Sequence, residues 1–130
     1  MSTSSETVTR GVRVRVQSRY VPQQSQPEQG KWFFVYTVRI SNEGERSVQL
    51  VSRHWIITDG HGHIEEVRGP GVVGAQPVLR TGQTFEYSSF CPLPTPVGSM
   101  QGTYRMVQED GDQFDAEIAA FGLSEPLAYN

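Results

Sequence analysis

Between Val67 and Leu79 the chain reads VRGPGVVGAQPVL, and Gly69, Gly71 and Gly74 within it satisfy G-x-G-x-x-G. In a dinucleotide-binding turn a strand delivers such glycines and a helix begins at them, so that free amides and the helix dipole face a pyrophosphate. Here Ala75, Gln76, Pro77 and Val78 follow the last glycine. Pro77 turns Gln76 away from helical angles and could not donate inside a helix. The context therefore fails for a dinucleotide-binding turn, and three uses of the glycines stay open. They can supply positive φ and close backbone approach in an inter-strand loop. Their successive amides can form a nest for phosphate or another anion, with Arg53, Arg68 or Arg80 within reach. Or the loop can belong to a protein-binding surface, with Val72, Val73 or Trp55 in an exposed apolar patch. In each case Val72 and Val73 are expected to anchor the loop on the core.

Other groups carry weaker signals. His61 and His63 lie two apart, on one side of a strand, and with Asp59, Glu65 or His54 could hold a borderline metal such as Co²⁺ or Zn²⁺. Two solvated histidines at an exposed hairpin tip are the simpler reading. Asp110-Gly111-Asp112 is the nearest approach to a carboxylate site for Mg²⁺, and reads first as a solvated turn. Arg13, Arg15 and Arg19 line one face of a strand, able to gather polyphosphate or to guard an edge. Cys91, followed by proline, is the only thiol. There is no G-x-S-x-G elbow, and Glu65 and Glu66 point to opposite strand faces, so neither a nucleophile nor an acid–base pair is indicated.

The elements that position these groups read as strands. Val12, Val14 and Val16 alternate with Arg13, Arg15 and Gln17, a period of two. Val21–Gly30 is a proline-containing loop. Lys31–Asn42 is an aromatic and β-branched central strand with Trp32, Phe34, Tyr36, Val38 and Ile40 on one face. Ser47–Asp59 follows a turn, and Asp59-Gly60 signals a tight hairpin returning through His63–Arg68. Within Ser47–Asp59, His54 lies in phase with Leu50 and Ile56 and is expected buried. Trp55 falls on the other face with Val51 and Ile57, an exposed anchor if no second sheet covers it. Further strands are expected at Pro77–Leu79, Thr84–Phe90, Met100–Asp110 and Gln113–Phe121, with Cys91–Ser99 a proline-rich connection. Seven or eight antiparallel strands with frequent turn signals and no amphipathic helix predict an all-β immunoglobulin or fibronectin type III-like β-sandwich. Residues 8–123 form the domain in this reading, flanked by flexible tails at 1–7 and 124–130.

The 130 residues suit one domain, and 13 Gly with 8 Pro suit a turn-rich sheet protein. A single cysteine excludes an intrachain disulfide and a Cys-based zinc site. The polar start MSTSSETVTR shows no secretory h-region, and no apolar run reaches the ~18 residues of a membrane span, so a cytoplasmic protein without membrane insertion is expected. The net charge of −3 argues against nucleic acid as the main partner. The charge is uneven: residues 1–80 hold ten of the eleven Lys and Arg and half of the fourteen acids, leaving residues 81–130 strongly acidic. Such asymmetry suits steering of an anion or a partner.

The segments LVSRHWIITD, EEVRGPGVVGAQPVLRTGQTFEYSSFCPL, TPVGSMQGTYRM and FDAEIAAFGL together resemble the ApaG family of bacteria, over roughly Val12–Leu123. The resemblance implies a fibronectin type III-like sandwich with the glycine loop as hallmark, carried here by Gly69, Gly71 and Gly74 with Arg53, His54 and Trp55 in the adjoining strand. It further implies a gene neighbourhood with a diadenosine tetraphosphate hydrolase and a link to cobalt resistance and magnesium efflux. Related domains occur in a eukaryotic F-box ubiquitin-ligase subunit and a polymerase-interacting protein, which implies partner binding. No enzymatic activity is established for the family. Gly60-His61-Gly62-His63 departs from it, since the family more often has Asn-Gly there and no histidine pair. The expectation is a non-catalytic binding or adaptor module without cofactor, its partner a protein. A phosphate or dinucleotide-polyphosphate sensor and a Co/Mg-handling protein using His61 and His63 are the alternatives.

Overall fold

The computed structural model describes residues 1–126. Nine strands run in chain order: β1 (Ser4–Thr9), β2 (Val12–Tyr20), β3 (Trp32–Asn42), β4 (Val48–Asp59), β5 (Ile64–Pro70), β6 (Val78–Leu79), β7 (Thr84–Leu93), β8 (Val97–Gln108) and β9 (Gln113–Ser124). They form two antiparallel sheets, ordered β1-β2-β3-β7 and β5-β4-β8-β9, with β6 also pairing β4. This is the all-β sandwich that the alternation predicts. Val12, Val14 and Val16 and the even residues from Phe34 to Ile40 turn inward, against Trp55, Tyr104 and Phe121 of the other sheet.

The N-terminal residues expected as a flexible tail are instead an edge strand. Ser4–Thr9 pairs along the whole of Val12–Gln17, and its half-buried side is closed by hydroxyls rather than by apolar groups. Ser5 Oγ donates to the Ala119 carbonyl at 2.7 Å, and Thr9 Oγ1 accepts from the Glu117 amide at 3.1 Å. β1 thereby caps the β9 edge. Ser and Thr hide this strand from a hydropathy reading, because their inward contacts are hydrogen bonds.

The connection expected over Cys91–Ser99 shrinks to Pro94, Thr95 and Pro96, since β7 runs on to Leu93 and β8 starts at Val97. Pro92 fits in β7 because that strand is an edge and loses no ladder bond there. At the other end, Ser124 still belongs to β9 and Trp32 Nε1 donates to Glu125 Oε2 at 2.9 Å. The remainder of the expected C-terminal tail, 127–130, lies outside the described residues. No helix among the described residues is long and apolar enough to cross a membrane.

Candidate functional site

β4 carries the residues that build the site, and its phase is the first thing the structure changes. Leu50 faces Met106 and Ser52 faces Arg105, so Val51 is an extra residue, a β-bulge. Past the bulge the two faces exchange. Trp55, 2 % exposed, turns into the core, and His54 turns outward. Both expectations for these residues are thus reversed. Trp55 meets Tyr36, Tyr104 and Phe121 at ring separations of 5.3–6.3 Å in edge-on arrangements. His54 Nε2 lies 2.8 Å from Glu66 Oε1 on the outer face. A glycine in the interior of β8 makes the site possible: a Cβ on Gly102 would lie 2.0 Å from the His54 carbonyl oxygen. A glycine inside a strand pattern is the signal that could have revealed this close approach.

Arg53 also follows the new phase and faces Tyr104 and Gly69. Its Nη1 donates to the Pro70 carbonyl at 2.9 Å and to the Gly71 carbonyl at 3.0 Å. The guanidinium lies over the Gly69 Cα, where a Cβ would come within 2.9 Å of Nη1. At Gly71 φ is +57° and a Cβ would fall 2.2 Å from the Ala75 carbonyl oxygen. Gly71 N donates to the Val51 carbonyl, which ties the loop to the bulge. Val72 and Ala75 exchange both backbone hydrogen bonds at 2.8 Å around Val73 and Gly74, whose φ values are +43° and +81°. Positive φ at both central residues makes this a type I′ turn. The three glycines therefore make room for an arginine, allow two backbone segments to touch, and form a turn.

The loop amides of Gly71, Val72 and Ala75 are already bonded internally. Of the two valines expected to anchor the loop, Val72 is buried at 1 % exposure and Val73 stands out at 61 %. Arg68 sits across from His54 on the outer face, largely exposed, with Glu66 at 3.6 Å. Arg80 lies elsewhere, in the turn closed by its own amide on Gln83 Oε1, beside Thr81, which bonds the Gly44 carbonyl. On the outer face His54, Arg68, Thr103, Arg105 and Asp115 line an open groove of about 610 Å³. Acids stand beside these groups: Arg105 pairs with Asp115 at 2.7 Å, and Glu66 lies next to both His54 and Arg68.

His61 and His63 occupy the β4–β5 hairpin, with ring centroids 6.4 Å apart, and the His63 side chain is solvent-exposed. Asp59 organises this hairpin. Its enclosure works to raise its pKa, but the His61 and His63 amides, at 2.8 and 3.1 Å from Oδ1, hold the carboxyl below its ordinary value. No group of three or more His, Cys, Asp or Glu converges as a metal site among the described residues.

The buried titratable groups are turned away from chemistry by their surroundings. Burial pushes the Cys91 thiol up to about 12, with Glu65 adding to the shift. The hydroxyls of Tyr87 and Tyr104 bond each other in the core, and burial raises both well above the usual phenol range. Cys91 is expected to resist iodoacetamide at pH 8 in the folded protein and to react fully in urea, as read by intact mass. Rapid alkylation of folded protein would contradict the buried position.

The family model for the ApaG domain matches residues 22–108. The chain belongs to the ApaG domain family. It is 55 % identical over 118 residues to Protein ApaG of Methylobacterium sp. (strain 4-46), covering 91 % of each chain. It is 56 % identical over 126 residues to Protein ApaG of Anaeromyxobacter dehalogenans, covering 97 % of this chain and 99 % of that one. A crystal structure described as an ApaA protein from Bordetella pertussis superposes with a TM-score of 0.86 at 53 % identity, covering 96 % of this chain and 97 % of that chain. The resemblance read from the glycine loop and its flanking segments is thereby established across the domain, and the ApaG sandwich is the fold.

Proposed function

We propose that this ApaG-family protein is a non-catalytic adaptor that binds a protein partner through the glycine loop and its neighbouring strands. One observation carries this reading. Val73 holds φ at +43° while 61 % exposed. A β-branched residue in the left-handed region is strained by roughly 1–2 kcal/mol. Asn or Gly would form the same turn without that cost, and an exposed valine returns little to the fold. The strain is explained if the turn exists to present an apolar side chain rigidly, with Val72 and the Arg53 clamp fixing its base. Val78, in β6 just after the loop, is also exposed, by 57 %.

The anion-sensor reading has less support, since only Val73 and Gly74 keep loop amides without a backbone acceptor and Arg53 is engaged with the loop's own carbonyls. A role in cobalt or magnesium physiology would, on this reading, be indirect and act through the partner. A cytoplasmic setting suits such an adaptor.

A photo-crosslinking side chain at position 73, compared in host cells with one at the exposed Glu117 of β9, tests the reading. A discrete crosslinked protein is expected at position 73, lost when the neighbouring Val78 is changed to Asp. Equal crosslinking at both positions would sink it. Val73→Asn should also raise stability by about 1 kcal/mol in urea unfolding, as relief of the strain requires.

A further inference from the structure

The outer face of the β1-β2-β3-β7 sheet is arranged in chemical rows. Register places Glu6, Arg15, Arg39 and Glu86 side by side across the four strands. The next row is Ser4, Gln17, Thr37 and Ser88, in which the Thr37 and Ser88 hydroxyls bond at 2.8 Å. The third is Arg19, Val35 and Phe90. Each row ends at β7, the last strand of this sheet.

That edge is open in a way the other free edge is not. β5 carries Glu65, Glu66, Arg68 and Pro70 among its seven residues, the usual protection of an exposed edge. β7 has one charge, Glu86, and its proline comes only at position 92. The Asn42 amide donates to the Gln83 carbonyl. By the alternation of an antiparallel pair, odd-numbered residues of β7 bond β3, and the backbone groups of Glu86, Ser88 and Phe90 face outward. All three residues are exposed, Phe90 by 62 % and stacked on Phe33 at 5.4 Å. Among the described residues Glu86 forms no ion pair, unlike Glu6 at the far end of its row, which holds Arg15 at 2.8 Å.

We propose that the β7 edge is a strand-addition site for an extended segment of a partner protein, running antiparallel to β7. Continuing the rows defines its chemistry: an apolar residue opposite Phe90, Ser or Thr opposite Ser88, and Lys or Arg opposite Glu86. Read from its N-terminus, the segment is apolar-x-Ser/Thr-x-Lys/Arg. Main-chain bonds supply the affinity of such an addition, and alternate side chains supply selectivity. A second copy of this chain fits poorly. Antiparallel pairing of two β7 edges about Ser88 sets each Glu86 against the other copy's Phe90, and moving the centre by one residue sets it against Ser88 or Pro92. This surface lies on the opposite sheet from the glycine loop and goes beyond the function proposed for that loop.

The test is selection of random ten-residue peptides against the full chain, followed by ¹⁵N NMR titration of the best sequence. Enriched peptides should carry Lys or Arg four residues after an apolar residue. The amides of Glu86, Ser88 and Phe90 should shift saturably and gain protection from exchange. Glu86→Arg should weaken binding about tenfold and shift selection to acidic residues at the matching position. Failure to enrich a sequence family, or enriched peptides whose shifts map elsewhere, would overturn the proposal. Shifts confined to Val72–Ala75 would overturn it while leaving the glycine-loop function standing.

Discussion

Gly71→Ala is expected to lower the unfolding free energy by about 2–5 kcal/mol, and Gly74→Ala by about 1–2 kcal/mol. Both positions have positive φ, so both substitutions meet the left-handed penalty. They differ in space. The new methyl at Gly71 would sit 2.2 Å from the Ala75 carbonyl oxygen, a backbone atom that cannot swing away, whereas nothing lies within 4 Å of the corresponding point at Gly74. Relieving the clash means separating Gly71 from Ala75, which disturbs the paired hydrogen bonds of Val72 and Ala75 and the bond from Gly71 N to Val51. Gly69→Ala should fall nearer Gly74, because the atoms it meets end the flexible Arg53 side chain. Urea unfolding of the three variants measures this order. Equal losses at positions 71 and 74 would refute the close-approach role of Gly71.

Trp55→Ala is expected to cost about 3–5 kcal/mol, much of the ~5–15 kcal/mol typical of a domain. The indole fills the space between the sheets, against Tyr36, Tyr104 and Phe121, and its removal leaves a cavity that three aromatic rings cannot close without leaving their own contacts. Trp55→Phe should cost distinctly less. It keeps most of the apolar volume and removes Nε1, a buried donor without a hydrogen-bond partner, whose burial is itself unfavourable. Denaturation midpoints with m-values read both variants. A Trp55→Ala loss within ~0.5 kcal/mol would be the behaviour of a surface residue and would contradict the buried placement.

Together the two results would separate architecture from recognition at the family's hallmark motif. Gly71 and Trp55 belong to the fold, and so does Arg53, which connects them by bonding the loop carbonyls from the strand that carries the tryptophan. Val73 is the exception, since the fold would be better served by another residue there. A loop whose base is fixed by packing and whose tip is strained is the arrangement expected of a presented contact rather than of a spacer.

The sandwich and its inward-facing residues on β2 and β3 were legible from alternation, because both strands are regular and have one apolar face. That no helix follows the glycines was equally legible, since Pro77 acts locally on the backbone. On β4 the same rule misassigned His54 and Trp55. Alternation carries phase along a strand only while its register with a neighbour is continuous, and the extra residue at Val51 is defined by pairing with β8, distant in sequence. β1 escaped notice for a related reason: its side chains meet β9 through hydroxyls, and hydropathy does not record hydrogen-bonding partners. The distinct duties of Gly69, Gly71 and Gly74, and the outward rows ending at Glu86, Ser88 and Phe90, were likewise set by which strands lie side by side. Residue types alone determined most of the strand segments and where the chain turns. Tertiary pairing decided which side chains meet, because a face, an edge and a close approach are relations between segments.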